Sequence, residues 1–138
     1  MKVEAIVPAA GAGLRMGGDV RKQFMDLGGE PMFIHTLRRL ALAPPIQRII
    51  LAAPEEELGP VREAVERAGL SKPCHVVVGG ATRQESVANG FGHVDPATEL
   101  VMVHDGVRPF VTTELVEQVA QAAAKVGAAT AACRARDT

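Results

Sequence analysis

Neither tryptophan nor tyrosine occurs in the 138 residues, and phenylalanine occurs only four times. A protein that grips a nucleic-acid strand needs faces on which bases stack and a basic surface for the phosphates. With aromatics at 3% and a formal net charge of −1, this chain offers neither. No nucleic-acid partner is expected, while a small anion held by local charges stays open. Cysteine is equally scarce. Cys74 and Cys133 lie far apart and belong to no C-x-x-C or Cys/His spacing, which argues against a zinc knuckle or redox pair and for two reduced thiols. His35, His75, His93 and His104 are scattered without ligand spacing. Long apolar runs are missing too: the longest are strand-sized, and Glu4 interrupts the one place a signal-peptide core could begin. The expected setting is cytoplasmic, with no membrane partner.

What the chain does have is apolar residues, 47% of the total, enough to bury one sizeable core. Residues 1–138 therefore read as one domain. Strand-length apolar runs at Val3–Ala9, Ile46–Ala53, His75–Val78, Leu100–His104 and Ala128–Cys133 alternate with segments of helical period. The first helix opens with Pro31 in its first turn and puts Ile34, Leu37 and Ala41 on one face. The second puts Val61, Ala64, Val65 and Ala68 on one face and stops at Gly69; Glu55, Glu56 and Glu57 precede it and complement its dipole. A capping box, Thr82 with Glu85, opens the third. The fourth follows Thr112, carries Leu115, Val119, Ala122 and Val126, and ends at Gly127.

Strands that are apolar nearly throughout, alternating with helices, predict an α/β fold: a mostly parallel sheet with helices on both faces. Ligands of such sheets bind beyond the carboxyl ends of the strands. Three loops there carry the chemistry, 8–23, 79–89 and 104–110, and they are expected to converge on one cleft. The chain stops at Thr138 soon after its last predicted strand, as if cut short at its C-terminus.

Loop one, Pro8-Ala9-Ala10-Gly11-Ala12-Gly13-Leu14-Arg15-Met16, is built of small residues that let free N–H groups approach an anion. Met16 breaks the dinucleotide fingerprint, and Gly18-Asp19-Val20 breaks the P-loop pattern. Arg15 and Lys22 are candidate catalytic cations, each able to stabilise charge on a reacting phosphate by roughly 3 kcal/mol if well aimed. A plain glycine-rich turn with solvated cations is the alternative. In loop two, Gly79-Gly80-Ala81-Thr82-Arg83-Gln84-Glu85-Ser86 combines a flexible double glycine with a helix N-terminus, suited either to an anion or merely to a capped helix. Loop three, His104-Asp105-Gly106-Val107-Arg108-Pro109-Phe110, sets Asp105 beside Arg108. The pair can orient a substrate hydroxyl or a metal ion and grip a phosphate, or can simply brace the turn.

In their order and spacing these segments, with Lys22-Gln23-Phe24 and the terminal Asp137-Thr138, resemble the 2-C-methyl-D-erythritol 4-phosphate cytidylyltransferases of the non-mevalonate isoprenoid pathway. The resemblance implies a three-layer, Rossmann-like (GT-A-like) nucleotidyltransferase fold. It also implies transfer of CMP from CTP to methylerythritol phosphate, with release of pyrophosphate. Arg15 and Lys22 would act at the α-phosphorus. Pro8, Ala9, Ala10, Gly11, Ala12, Gly13, Arg15, Lys22, Gly79, Arg83, Ser86 and Asp105 would bind CTP, and Asp105, Arg108 and Thr138 the acceptor. Mg²⁺, or another divalent cation, would ride mainly on the triphosphate with Asp105 as the candidate metal-side residue, and the full-length protein would be a homodimer. Gly106 and Val107 stand where the family commonly has two alanines. A cytidylyltransferase for another polyol phosphate, such as ribitol 5-phosphate, and a non-catalytic CTP-binding module remain alternatives.

Overall fold

The computed structural model describes residues 1–11 and 22–136, and for Lys22 the backbone only. In chain order its elements are β1 (Val3–Pro8), β2 (Asp26–Leu27), β3 (Glu30–Pro31), α1 (Met32–Leu42), β4 (Ile46–Ala53), α2 (Leu58–Ala68), β5 (Cys74–Val78), α3 (Arg83–Phe91), β6 (Leu100–Val103) and α4 (Thr113–Val126). Strands β5, β4, β1 and β6 lie side by side in that order, and every pairing is parallel.

β1 sits inside this sheet, which explains a sequence with almost no polar alternation. Val3, Ala5 and Val7 face a core shared with Phe33, Ile34, Leu37 and Leu40 of α1, Val61 of α2, and Val116 and Ala120 of α4. Ile6 faces the other way and packs with Ile50, Ala52 and Val77. α3 covers that second face, and it lies close: a Cβ on Gly90 would stand 2.7 Å from Cγ2 of Ile6. The result is the expected three layers.

Helix ends follow the expected chemistry. Thr82 accepts from the Glu85 N–H and Glu85 reaches back, completing the capping box of α3; Thr112 caps α4 by accepting from the Leu115 N–H. Gly69 ends α2 at φ 59° and Gly127 ends α4 at φ 96°, backbone that a side chain would strain. Pro31 stands one residue earlier than expected, as the residue capping α1 rather than within its first turn.

Two further expectations are corrected. Residues 128–133 form no strand; the segment is irregular and exposed. Its run of alanine and threonine has little side chain to bury, and it does not pair with β6, whose outer side is a sheet edge among the described strands. The buried face of α4 is also rotated from the expected one: Val116 and Ala120 are 2% exposed, whereas Leu115 is 39% and Val126 76% exposed. The hairpin of β2 and β3, unanticipated from the sequence, turns on Gly28 and Gly29, whose φ values of 64° and 91° belong to a glycine turn.

At the amino ends of the strands a charge is buried. Glu4 is 2% exposed, accepts from Nη2 of Arg48 at 3.2 Å and takes the Asp95 N–H at 3.2 Å. Removing one member of a buried pair strands the other, at a cost of about 3 kcal/mol. Arg48→Ala is therefore expected to lose about that much stability in urea unfolding. Lys2→Ala, which breaks only the half-exposed pair with Asp95, should lose about 1 kcal/mol or less.

Candidate functional site

Each of the three loops leaves the sheet at a fixed point. The Ala9 N–H donates to the Ala52 carbonyl at 2.8 Å, the Gly79 N–H to Ala53 at 2.8 Å, and the His104 N–H to Ile6 at 3.0 Å. These bonds extend the parallel ladder one rung past the strands, so all three loops emerge from the same edge, at the strands' carboxyl ends. Packing then draws them together. A Cβ on Gly79 would fall 2.1 Å from Cβ of Ala10, and one on Gly106 would fall 3.3 Å from Cβ of Ala9.

Loop one is held from beneath by Gln23, 4% exposed, whose Nε2 donates to the carbonyls of Ala9 at 2.8 Å and Gly11 at 3.2 Å. Ser86 is fully buried in the first turn of α3, and its hydroxyl accepts the Gly80 N–H at 3.0 Å, fixing the double glycine. Thr36 of α1, also fully buried, donates to the Gly106 carbonyl at 2.8 Å and so ties loop three to the core. Ser86 was singled out from the sequence. Thr36 was not, and Gln23 was noted only as part of a motif, since a polar residue bonding to a distant carbonyl leaves no periodic signal.

The charged centre is Asp105, whose side chain is 31% exposed. Nε and Nη2 of Arg83 both reach its Oδ1 at 2.9 Å, and Nε of Arg108 reaches Oδ2 at 3.2 Å. One carboxylate between two guanidiniums leaves a net positive charge, with further N–H groups on both arginines available to an anion. Burial alone would raise the Asp105 carboxyl, but the hydrogen bonds and charges of Arg83 and Arg108 outweigh it and hold the group below its ordinary value. His104, next along, is pushed down, chiefly by burial, against the pull of Asp105, and its Nδ1 is buried with no hydrogen-bond partner among the described residues. A groove of about 1100 Å³ runs from Arg83, Asp105 and Arg108 along the open edge of β6 to α4.

Pro8, Ala9, Ala10, Gly11, Gly79, Arg83, Ser86, Asp105 and Arg108 thus lie on one end of the sheet. Ala12, Gly13, Arg15 and Thr138 lie outside the described residues, as does the Lys22 side chain, although the Lys22 backbone begins the short helical turn 22–24 beside loop one. Among the described residues no group of three His, Cys, Asp or Glu could hold a metal, and both Asp105 oxygens are taken by arginines. The described side chains do not form a metal cage of their own.

Fold and site together define the class as an α/β nucleotidyltransferase fold with a glycine-lined, arginine-rimmed end. The family model described as "IspD: 2-C-methyl-D-erythritol 4-phosphate cytidylyltransferase" matches residues 3–138. The chain is 43% identical to the enzyme of that name from Geotalea uraniireducens over 100% of its own length and 60% of the relative's. It is 45% identical to the one from Syntrophus aciditrophicus over 99% and 59%. The crystal structure of 4-diphosphocytidyl-2C-methyl-D-erythritol synthase from Anaerococcus prevotii superposes with a TM-score of 0.76 at 30% identity, over 90% of this chain and 52% of that one. The chain belongs to the 2-C-methyl-D-erythritol 4-phosphate cytidylyltransferase family, and it spans about 60% of the length of these curated relatives.

A carboxyl whose folded pKa is depressed contributes stability that is complete above its unfolded value and is lost as pH falls through the folded one. Asp105→Asn is therefore expected to lower the melting temperature at neutral pH, with the gap to wild type closing as pH drops below the ordinary aspartate value of 3.8. A gap that stays constant with pH would contradict the clamp.

Proposed function

We propose that the chain binds CTP and provides the nucleotide half of a cytidylyltransferase that transfers CMP to 2-C-methyl-D-erythritol 4-phosphate and releases pyrophosphate, a step of isoprenoid precursor biosynthesis. One observation carries this reading. The carboxylate of Asp105, held between Arg83 and Arg108, stands at the sheet end where the glycine-rich loop and the Gly79–Gly80 loop pack against each other. The loops supply close backbone approach, the arginines supply charge, and family membership supplies the nucleotide.

In this proposal a phosphate oxygen of the acceptor attacks the α-phosphorus of CTP in line, and pyrophosphate leaves on the opposite side. The bond to the departing phosphate oxygen breaks as the new one forms, so no covalent enzyme intermediate is required. Arg15 and Lys22 stabilise the charge that grows on the transferring and leaving groups. Ala9, Ala10, Gly11, Ala12 and Gly13 wrap the triphosphate, Gly79, Arg83 and Ser86 complete the nucleotide pocket, and Asp105, Arg108 and Thr138 face the acceptor. A divalent cation such as Mg²⁺ would be held mainly by the triphosphate oxygens, with Asp105 the candidate residue on its side, and would neutralise phosphate charge there.

The protein would work in the cytoplasm and, at the family's full length, as a homodimer. Among the described residues no helix is long and apolar enough to cross a membrane. A second reading is CTP binding without transfer, for which the backbone of the two glycine loops and the arginines at the sheet end would be enough.

The test is an assay of pyrophosphate release and CDP-linked product with CTP, Mg²⁺ and competing polyol phosphates. Product from methylerythritol phosphate alone, with turnover cut by orders of magnitude in Lys22→Ala, is the expected outcome. Preference for ribitol 5-phosphate would reassign the acceptor. CTP binding with no pyrophosphate release would leave the binding reading.

A further inference from the structure

Gln23 has no part in the chemistry above, yet it is among the few polar side chains fully withdrawn from solvent, at 4% exposure. Both of its carboxamide hydrogens are spent on loop one, on the carbonyls of Ala9 at 2.8 Å and Gly11 at 3.2 Å. The base from which it reaches is rigid. Phe24 packs edge-to-face on Phe33 of α1 with ring centroids 5.7 Å apart, and the Met25 carbonyl accepts the Met32 N–H at 2.8 Å.

A planar trans peptide points its carbonyl and the following N–H in opposite directions. Drawing the Ala9 carbonyl toward Gln23 therefore turns the Ala10 N–H away from it, and among the described residues no acceptor takes that N–H. The neighbouring Ala9 N–H differs in being committed to Ala52. A backbone donor with no acceptor among the described residues, aimed by a buried amide and flanked by the Gly79 loop, is the arrangement that receives an anionic oxygen. We propose that Gln23 is a positioning residue of the phosphate site, holding two loop carbonyls back so that the amide edge of loop one faces the phosphates of CTP. The inference rests on the CTP reading above and adds to it the device that aims the loop.

Titrating the chain with CTP and with cytidine, which has no phosphate, separates aiming from mere support. Gln23→Met keeps the volume and removes both donors. It is expected to weaken CTP binding about tenfold while leaving cytidine binding unchanged. CTP affinity equal to wild type, or equal losses for CTP and cytidine, overturns the proposal. Should Gln23→Met fail to fold, Gln23→Glu carries the test. A carboxylate can donate to neither carbonyl and a carboxylic acid can donate to one, so its CTP affinity relative to wild type should climb from about pH 8 to about pH 5. A ratio that is depressed and flat with pH overturns the proposal as well. If the wild-type chain binds no CTP, both the CTP reading and this inference fail; if only the variants behave as wild type, this inference fails alone.

Discussion

A side chain on Gly79 would collide with Ala10, its Cβ only 2.1 Å away, so the backbone leaving β5 rests directly on the backbone leaving β1. That contact is the constraint from which the site follows. It requires alanine on one loop and glycine on the other, and it brings the capped start of α3 beside loop one. Ser86, buried beneath, then has the Gly80 N–H to bind. Gly106 repeats the arrangement on the far side, close over Ala9 and tethered by Thr36. Three loops separated by tens of residues become one surface because parallel strands all end on the same side of the sheet.

On that surface the electrostatics are local. The whole chain carries a formal charge of −1, yet the sheet end presents two guanidiniums against one carboxylate. Asp105 pre-orients both arginines and remains ionised while doing so, because their pull exceeds the opposing effect of burial. An arriving phosphate therefore meets donors already held in place. A second acid, Glu4, is buried at the opposite end of the sheet, paired with Arg48. One charge cluster serves the fold and the other faces the cleft.

How much of this could be read beforehand differs by kind of interaction. The central strands announced themselves because both their faces are buried and their residues are apolar throughout. The caps at Thr82, Thr112, Gly69 and Gly127 were readable because capping is local chemistry between residues a few positions apart. The buried face of α4 was not. Leu115 and Val126 fit a helical stripe as well as Val116 and Ala120 do, and the choice depends on where β6 and α1 stand. The segment 128–133 has strand-like composition, but composition does not specify pairing, and the segment does not pair with the open ladder of β6. The loops' chemistry was visible in their residues. Their anchorage through Gln23 and Thr36 was not, because those bonds run to main-chain carbonyls across the fold.

The claim that these loops form one nucleotide site is most directly measured by following backbone amide resonances of the chain as CTP is added. The account predicts that Ala10, Gly11, Gly79, Gly80, Arg83 and Asp105 shift together along one binding curve, while Glu4, Arg48 and His93 at the opposite end stay still. Shifts confined to a single loop, or scattered over both ends of the sheet, would contradict it.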